Sequence, residues 1–407
     1  MKFKTLIIGS DINAYYMARC YHEEYNDKAH LIAKEPMNFT NLSTILTIEY
    51  HHNLWEKEAF LEAVNDYAEK YKDYKILIIP SNDFYVRLIV ENKKNLRKNL
   101  VFHDLGIDLL NNLLIKDNFY SFFKDSGLEF PKTYIYDCSL KNKLTKENIK
   151  DFKFPIIIKP GDGVAYYKAK FEGQSKVYKV NSLKEIQDII SKITNAGYKK
   201  KLIIQEFIPG GDDKLFDSIF YCNKNHKAEL ASFAQIGLQE HTHTGIGNCT
   251  VLVNGFCEFG NYENEIYKMK EFLENNNYCG FAEFDLKYDE RDKKFKVFEI
   301  NPRQARSSYY LCACGYNLVK YLVDDLIKNE QKDFVIIKKE YALSFVPTFV
   351  IKKYIKNDKL KKEVLKLKKS KNFVDPLNYK QDKNLKRKAW LFIRKINYIK
   401  KYKNNQW

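Results

Sequence analysis

Two consecutive apolar-rich segments constrain this chain most: GFAEFDLKYD at 280–289 and FKVFEIN at 295–301, separated by a short charged stretch. The spacing predicts two neighbouring strands, one hairpin apart. A strand alternates its faces, so Glu283 and Asp285 share one side of the first, and Glu299 and Asn301 share one side of the second. Two acids and an amide gathered in this way are hard oxygen donors. They suit Mg²⁺, which keeps several waters and takes the rest of its shell from substrate phosphates. Arg303 follows two residues after Asn301, placed to reach an anionic group. The solvated face of a plain antiparallel hairpin would show the same alternation, so the rest of the chain has to decide between the two.

Near the start, FKTLIIG at 3–9 and KILIIPSND at 75–83 are short apolar runs ending in turn residues. Helical stretches over 13–25 and 54–72 lie between them, which predicts a small parallel α/β sheet over roughly residues 1–110. Gly9-Ser10-Asp11 lacks the full GxGxxG, so a dinucleotide site is not supported, and Ser10, Asp11 and Asp83 read equally as turn and cap residues. Further strands are predicted at KTYIYD (132–137), FPIIIKP (154–160), KLIIQEF (201–207) and DSIFYCN (217–223), with helices over 183–195 and 263–275. Such mixed order defines an α/β and α+β chain. From Tyr341 onward the pattern turns helical and basic. There Leu385, Ala389, Phe392, Ile396 and Ile399 recur at spacings of four and three, forming one helix face expected to pack on the parent domain rather than on a membrane.

Composition narrows the function class. With 407 residues and 45% hydrophobic content the chain can bury a sizeable core in two or three modules. Its apolar runs are too short to span a bilayer. The N-terminus lacks a small-residue cleavage site and runs straight into a strand pattern. The eight cysteines are scattered without CxxC pairs, which predicts reduced thiols and a cytoplasmic location. The net charge of +17 sits in the tail: residues 351–407 hold 20 Lys and Arg against 4 Asp and Glu. Such a block either attracts polyanions, a nucleotide-linked substrate or an anionic membrane surface, or is a solvated helical face. No nucleic-acid recognition motif stands out, and none is expected to bind.

The constellation of Lys116, Lys159, QEFIPG at 205–210, an acid at 283 or 285, and EINPR at 299–303 resembles the ATP-grasp superfamily over residues 110–325. The resemblance implies an ATP-grasp fold in three parts: an N-terminal Rossmann-like parallel-sheet domain (1–112), an ATP-grasp region (113–340) with a small lid subdomain over about 130–208, and a basic helical C-terminal extension (341–407). It also implies ATP and Mg²⁺, with Mn²⁺ as a substitute. By position, Lys116, Lys159, Glu206, Phe207, Ile208 and Asp213 would hold the nucleotide, and Asp285, Glu299 and Asn301 the metal. Arg303 and Lys159 would stabilise the transferred group. Either Glu283 or Asp285 serves as the first metal acid, with Asp285 favoured. Gly161 and Gly163, in KPGDGVAYYKAKFEG, would offer backbone amides to the phosphates; a β-hairpin turn would look similar, and a Walker loop is absent.

Within the superfamily, GSDINAYYMARCYHEEY, IPSNDFYVRLIVENK, FIPGGDD, QEHTHTGIGN and the basic tail look like the D-aspartate ligase branch of carboxylate–amine ligases. That branch implies an enzyme, with a homodimer as one option, joining an amino acid such as D-aspartate to an amine of a cell-wall or other nucleotide-linked precursor through an acyl phosphate. In HTHTGIG, His241 is either a hydrogen-bond donor or base beside the carboxylate or part of an exposed loop; with His243 and Cys249 it has too few partners for zinc. Two other readings compete: an ATP-grasp kinase acting on a small molecule, and a non-catalytic basic protein that binds polyanions or membranes.

Overall fold

The computed structural model describes residues 2–140, 142–240, 242, 245 and 247–404. The chain forms two compact units, one made of Met1–Ile107, Gly211–Phe284 and Asn301–Trp407, the other of Asp108–Gly210 and Asp285–Ile300.

In the first unit, five parallel strands stand in the order Leu46–Tyr50, Ala29–Ala33, Phe3–Ile8, Lys75–Pro80 and Leu100–Val101. Their helices include Ile12–Tyr25, Lys57–Lys70 and Asp83–Asn92. Leu6, Ile7, Ile8, Leu31 and Ile32 are all fully buried, as expected of a parallel sheet covered on both faces. The strand Phe3–Ile8 is followed by Gly9, whose φ of +112° and close approach to Ser81 leave no room for a side chain: a Cβ would lie 2.1 Å from Ser81 Oγ. That serine donates to Asp11 Oδ2 at 2.9 Å, while Asp11 Oδ1 accepts from the amides of Asn13 and Ala14 and caps the helix. Asp11 is thus a cap residue.

A second sheet of this unit places the start of Gly280–Asp289 beside Leu215–Cys222, followed by Ala234–Gln239, Cys249–Asn254, Tyr341–Ser344 and Phe373–Val374. Tyr341–Ser344 corrects the helical expectation for its stretch. Leu343 pairs with Leu252 and Ala342 with Val253, antiparallel. Four residues are too few to show a period, and the buried neighbour strand decides their conformation.

The C-terminal segment is keyed into this unit by charge. Asp382 accepts from Tyr15 Oη (3.1 Å), Ser43 Oγ (2.9 Å), Thr44 N (2.8 Å) and Thr44 Oγ1 (3.0 Å), and pairs with Arg387 Nε at 2.9 Å. The Arg387 guanidinium carbon stands 3.9 Å from the centre of the Tyr15 ring, and Nη1 donates to Phe39 O at 2.6 Å. From there the helix Leu385–Asn404 buries Arg387, Tyr398 and Tyr402. Its apolar repeat faces the other way. Leu385 is 77% exposed, Phe392 67% and Ile396 40%, and Ala389 is exposed too, so the expectation that this stripe packs on the parent domain is overturned for those four, while Ile399 does pack. Anchoring by a charge pair and by Tyr402 Oη, which donates to Gln239 O at 2.6 Å, outweighs the aliphatic stripe.

In the second unit, four antiparallel strands run in the order Thr133–Asp137, Lys201–Glu206, Ile156–Pro160 and Tyr178–Val180. The helix Leu183–Asn195, capped by Ser182, buries Ile186, Ile190 and Ile193, which follow helical spacing onto a core with Ile156, Ile158, Leu202 and Ile204. The strands Gly280–Asp289 and Lys294–Asn301 are sheet neighbours, and their 285–289 and 294–300 portions belong to this unit.

Candidate active site

Three of the expected residues meet inside the second unit. Lys116 opens the helix Lys116–Phe122, and its Nζ donates to Glu299 Oε2 at 3.1 Å. Lys159, near the end of its strand, donates to Tyr120 Oη at 3.3 Å, and that hydroxyl donates to Phe298 O at 2.7 Å. Tyr120 was not singled out from sequence. Its only signal was the four-residue step from Lys116, which sets both on one helix face. Lys159 Nζ also stands 5.4 Å from the Tyr120 ring centre and 5.9 Å from that of Phe298, in cation–π range.

The charges act on one another. The Lys116 ammonium, helped by Lys159 and Lys176 against the opposing effect of burial, holds the Glu299 carboxyl down at about 2. Burial first, then repulsion from Lys116, lowers the Lys159 ammonium to about 7, with Glu299 opposing the fall. Glu299 is therefore ionised at any ordinary pH, and its contribution to stability, complete above about pH 4.5, is lost as pH falls toward 2. Three lysines around one carboxylate leave an excess of positive charge suited to phosphate oxygens. The two lowering and raising partners give opposite expectations for Lys159: Lys116→Met should raise its titration midpoint and Glu299→Gln should lower it, as followed by NMR of ¹³C-methylated lysine. Equal midpoints in all three proteins would show that these groups do not sense one another.

The remaining nucleotide candidates are engaged differently. Glu206 accepts from Lys132 N and Arg291 Nη2, both at 2.8 Å, so its side chain ties strand ends together. Phe207 lies under Lys179 Nζ, 4.2 Å from its ring centre, and Ile208 is buried. The Gly161 amide donates to Lys201 O at 2.9 Å, and a Cβ there would come within 2.9 Å of that same oxygen. Gly161 is thus glycine for close packing. Gly163 begins a short helix, Gly163–Lys168, capped by Asp162, where a hairpin turn was the other reading.

In the first unit Arg303 is the hub. Nε pairs with Asp83 Oδ1 at 2.9 Å, while Nη1 donates to Glu283 Oε2 and Nη2 to Asn301 Oδ1, both at 3.3 Å. These two carboxylates, with Asp11, hold the guanidinium charged against its burial. Arg303 and Gln304 also line a cavity of about 60 Å³ with His103 and Cys279. Asp213, in this unit too, accepts from Asn357 Nδ2 at 3.2 Å. Asp285 is half-buried on its strand. Among the described residues no group of three or more His, Cys, Asp or Glu is arranged to hold a metal ion; the expected set of Asp285, Glu299 and Asn301 has two acids and an amide. His241 and His243 lie outside the described residues.

No family model matches the chain. Among solved structures, the N5-carboxyaminoimidazole synthetase of Staphylococcus aureus superposes with a TM-score of 0.62 at 12% identity, over 84% of this chain and 82% of that one. The L-amino acid ligase of Bacillus licheniformis gives 0.55 at 16% identity, over 80% and 74%. These likenesses define the fold as ATP-grasp. A D-aspartate ligase from Enterococcus faecium (strain Aus0004) is 31% identical over 415 residues, covering 99% of this chain and 96% of the relative. The chain belongs to the D-aspartate ligase family of ATP-grasp carboxylate–amine ligases. It is an ATP-dependent ligase that forms carbon–nitrogen bonds between a carboxylate and an amine, and the kinase and binding-protein readings give way to that.

Proposed function

We propose that the acid is D-aspartate and that the acceptor is an amine on a nucleotide-linked cell-wall precursor, with Mg²⁺ accompanying ATP in a cytoplasmic enzyme. The end-to-end match to a D-aspartate ligase carries this reading. Support for the nucleotide comes from the S. aureus synthetase solved with ADP, and for the metal from a biotin carboxylase domain of Hydrogenobacter thermophilus solved with MgADP.

The donor chemistry of the second unit fits the cation: Glu299, whose carboxyl Lys116 holds low, and the acid Asp285 are hard oxygen ligands. Asp285 is taken as the first metal acid, with Glu283, whose carboxylate accepts from Arg303 at 3.3 Å, as the alternative. Bound there, Mg²⁺ would supply positive charge to the polyphosphate. Lys116 and Lys159 would steady the phosphate oxygens while a substrate carboxylate attacks the γ-phosphorus in line, breaking its bond to ADP. Arg303 would orient the anionic substrate. The amine then attacks the acyl carbon, phosphate leaves, and the amine loses a proton; water has to be kept out until that step is done.

The test is a panel of D- and L-amino acids with ATP, Mg²⁺ and uridine-diphosphate-linked muramyl peptides, followed by ADP release and mass spectrometry. D-Aspartate is expected to give ADP, phosphate and the amide. ADP release only with another acid would overturn the substrate and leave the ligase class standing.

A further inference from the structure

The helix Leu385–Asn404 has two apolar sides, and only one is covered. Arg387, Tyr398 and Tyr402 face the protein. At 100° per residue, Leu385, Phe392, Ile393 and Ile396 fall within an arc of about 100° on roughly the opposite side. All four are exposed, at 77%, 67%, 54% and 40%. A contiguous outer stripe of large aliphatic and aromatic groups has a cost in water and calls for an occupant.

Charge identifies it. No Asp or Glu occurs in the helix. Lys395 is paired with Asp375 and Lys401 with Glu240, but Lys386, Lys388, Lys400 and Lys403 are exposed and make no ion pair among the described residues. On the wheel, Lys386 and Lys388 flank the stripe on either edge, while Lys400 and Lys403 continue its face toward the C-terminal end. Apolar groups bordered by lysines on flexible stems are what an acidic lipid headgroup layer accepts: the rings and aliphatic chains enter the acyl boundary while the ammonium groups snorkel to the phosphates. No described helix is long and apolar enough to cross a membrane, so the helix would lie in the surface. A second copy of the chain is a poorer fit, because a two-fold contact of this face would bring its lysines against one another.

We propose that the outer face of the helix Leu385–Asn404, built from Leu385, Phe392, Ile393 and Ile396 and bordered by Lys386, Lys388, Lys400 and Lys403, docks on an anionic membrane surface. The full-length protein is expected to float with vesicles of equimolar phosphatidylglycerol and phosphatidylcholine at low ionic strength, to ignore pure phosphatidylcholine, and to be released by about 0.5 M salt. The pair Phe392→Asp and Ile396→Asp should weaken partitioning about tenfold or more. Changing the four lysines to Gln should weaken it about fivefold for each residue. Because all these side chains are exposed, circular dichroism, thermal melting and ADP release without vesicles should match wild type, which separates lost docking from lost folding.

Wild-type protein that stays with the soluble fraction would overturn the proposal, as would an Asp-substituted pair that floats unchanged. Concentration-dependent dimerisation of wild type, abolished by the same pair, with no vesicle binding, would assign the face to a second copy instead.

Discussion

Glu299→Gln is expected to lower kcat by about 10²–10³-fold while nucleotide affinity holds or rises. The substitution preserves shape and removes only charge. In the native protein Glu299 accepts from Lys116 at 3.1 Å, and Lys159 feels its field. The amide leaves the Lys116 ammonium without its carboxylate and facing an incoming polyphosphate, while Lys159, lowered further without Glu299, takes up its proton as the phosphate arrives, so ground-state binding holds or gains. The same change weakens the proposed grip on Mg²⁺ and, with it, the stabilisation of charge that develops as the γ-phosphoryl group moves. The signature is therefore a split, with kcat falling and the dissociation constant for ATP unchanged or smaller. Rapid-quench turnover and equilibrium dialysis measure the two quantities separately; kcat within tenfold of wild type would remove Glu299 from the reaction.

Asp382→Ala should produce the largest loss of stability, about 3–5 kcal/mol in urea unfolding. The side chains of Asp382 and Arg387 are each only 1% exposed, so deleting the acid strands a guanidinium away from water. Three hydroxyl donors, from Tyr15, Ser43 and Thr44, lose their acceptor at the same time. Exchanging both partners for apolar residues, Asp382→Leu with Arg387→Met, should recover part of the loss, since no buried charge remains while the hydroxyls are still unpaired. A single-variant cost below about 1 kcal/mol would mean that the pair is hydrated in solution.

The strand 280–289 and the helices 183–195 and 263–275 begin and end where the residues predict, because each carries a strong local period or cap. Lys116, Lys159 and Glu299 stand out in the sequence by residue type and position, and the structure sets Lys116 3.1 Å from Glu299 and Lys159 3.3 Å from Tyr120. What escaped lies in long-range packing. Ala29–Ala33 and Ala228–Ala231 are short runs whose strand state is imposed by neighbours. Gly161 owes its identity to a carbonyl 40 residues away, at Lys201. The burial of Arg387 and the exposure of Phe392 reverse what hydrophobicity alone predicts, because the buried pair of Arg387 with Asp382 sets the rotation of that helix.

Tyr15 and Asp382 are 367 residues apart. A ribosome adding about 5–20 residues per second needs roughly 20–70 s to travel between them. Throughout that interval the nascent N-terminal sheet exists without the acid that its Tyr15, Ser43 and Thr44 hydroxyls require. Messages truncated shortly before codon 382 should therefore yield a product that proteases clear quickly, even though every residue proposed for catalysis has already been made.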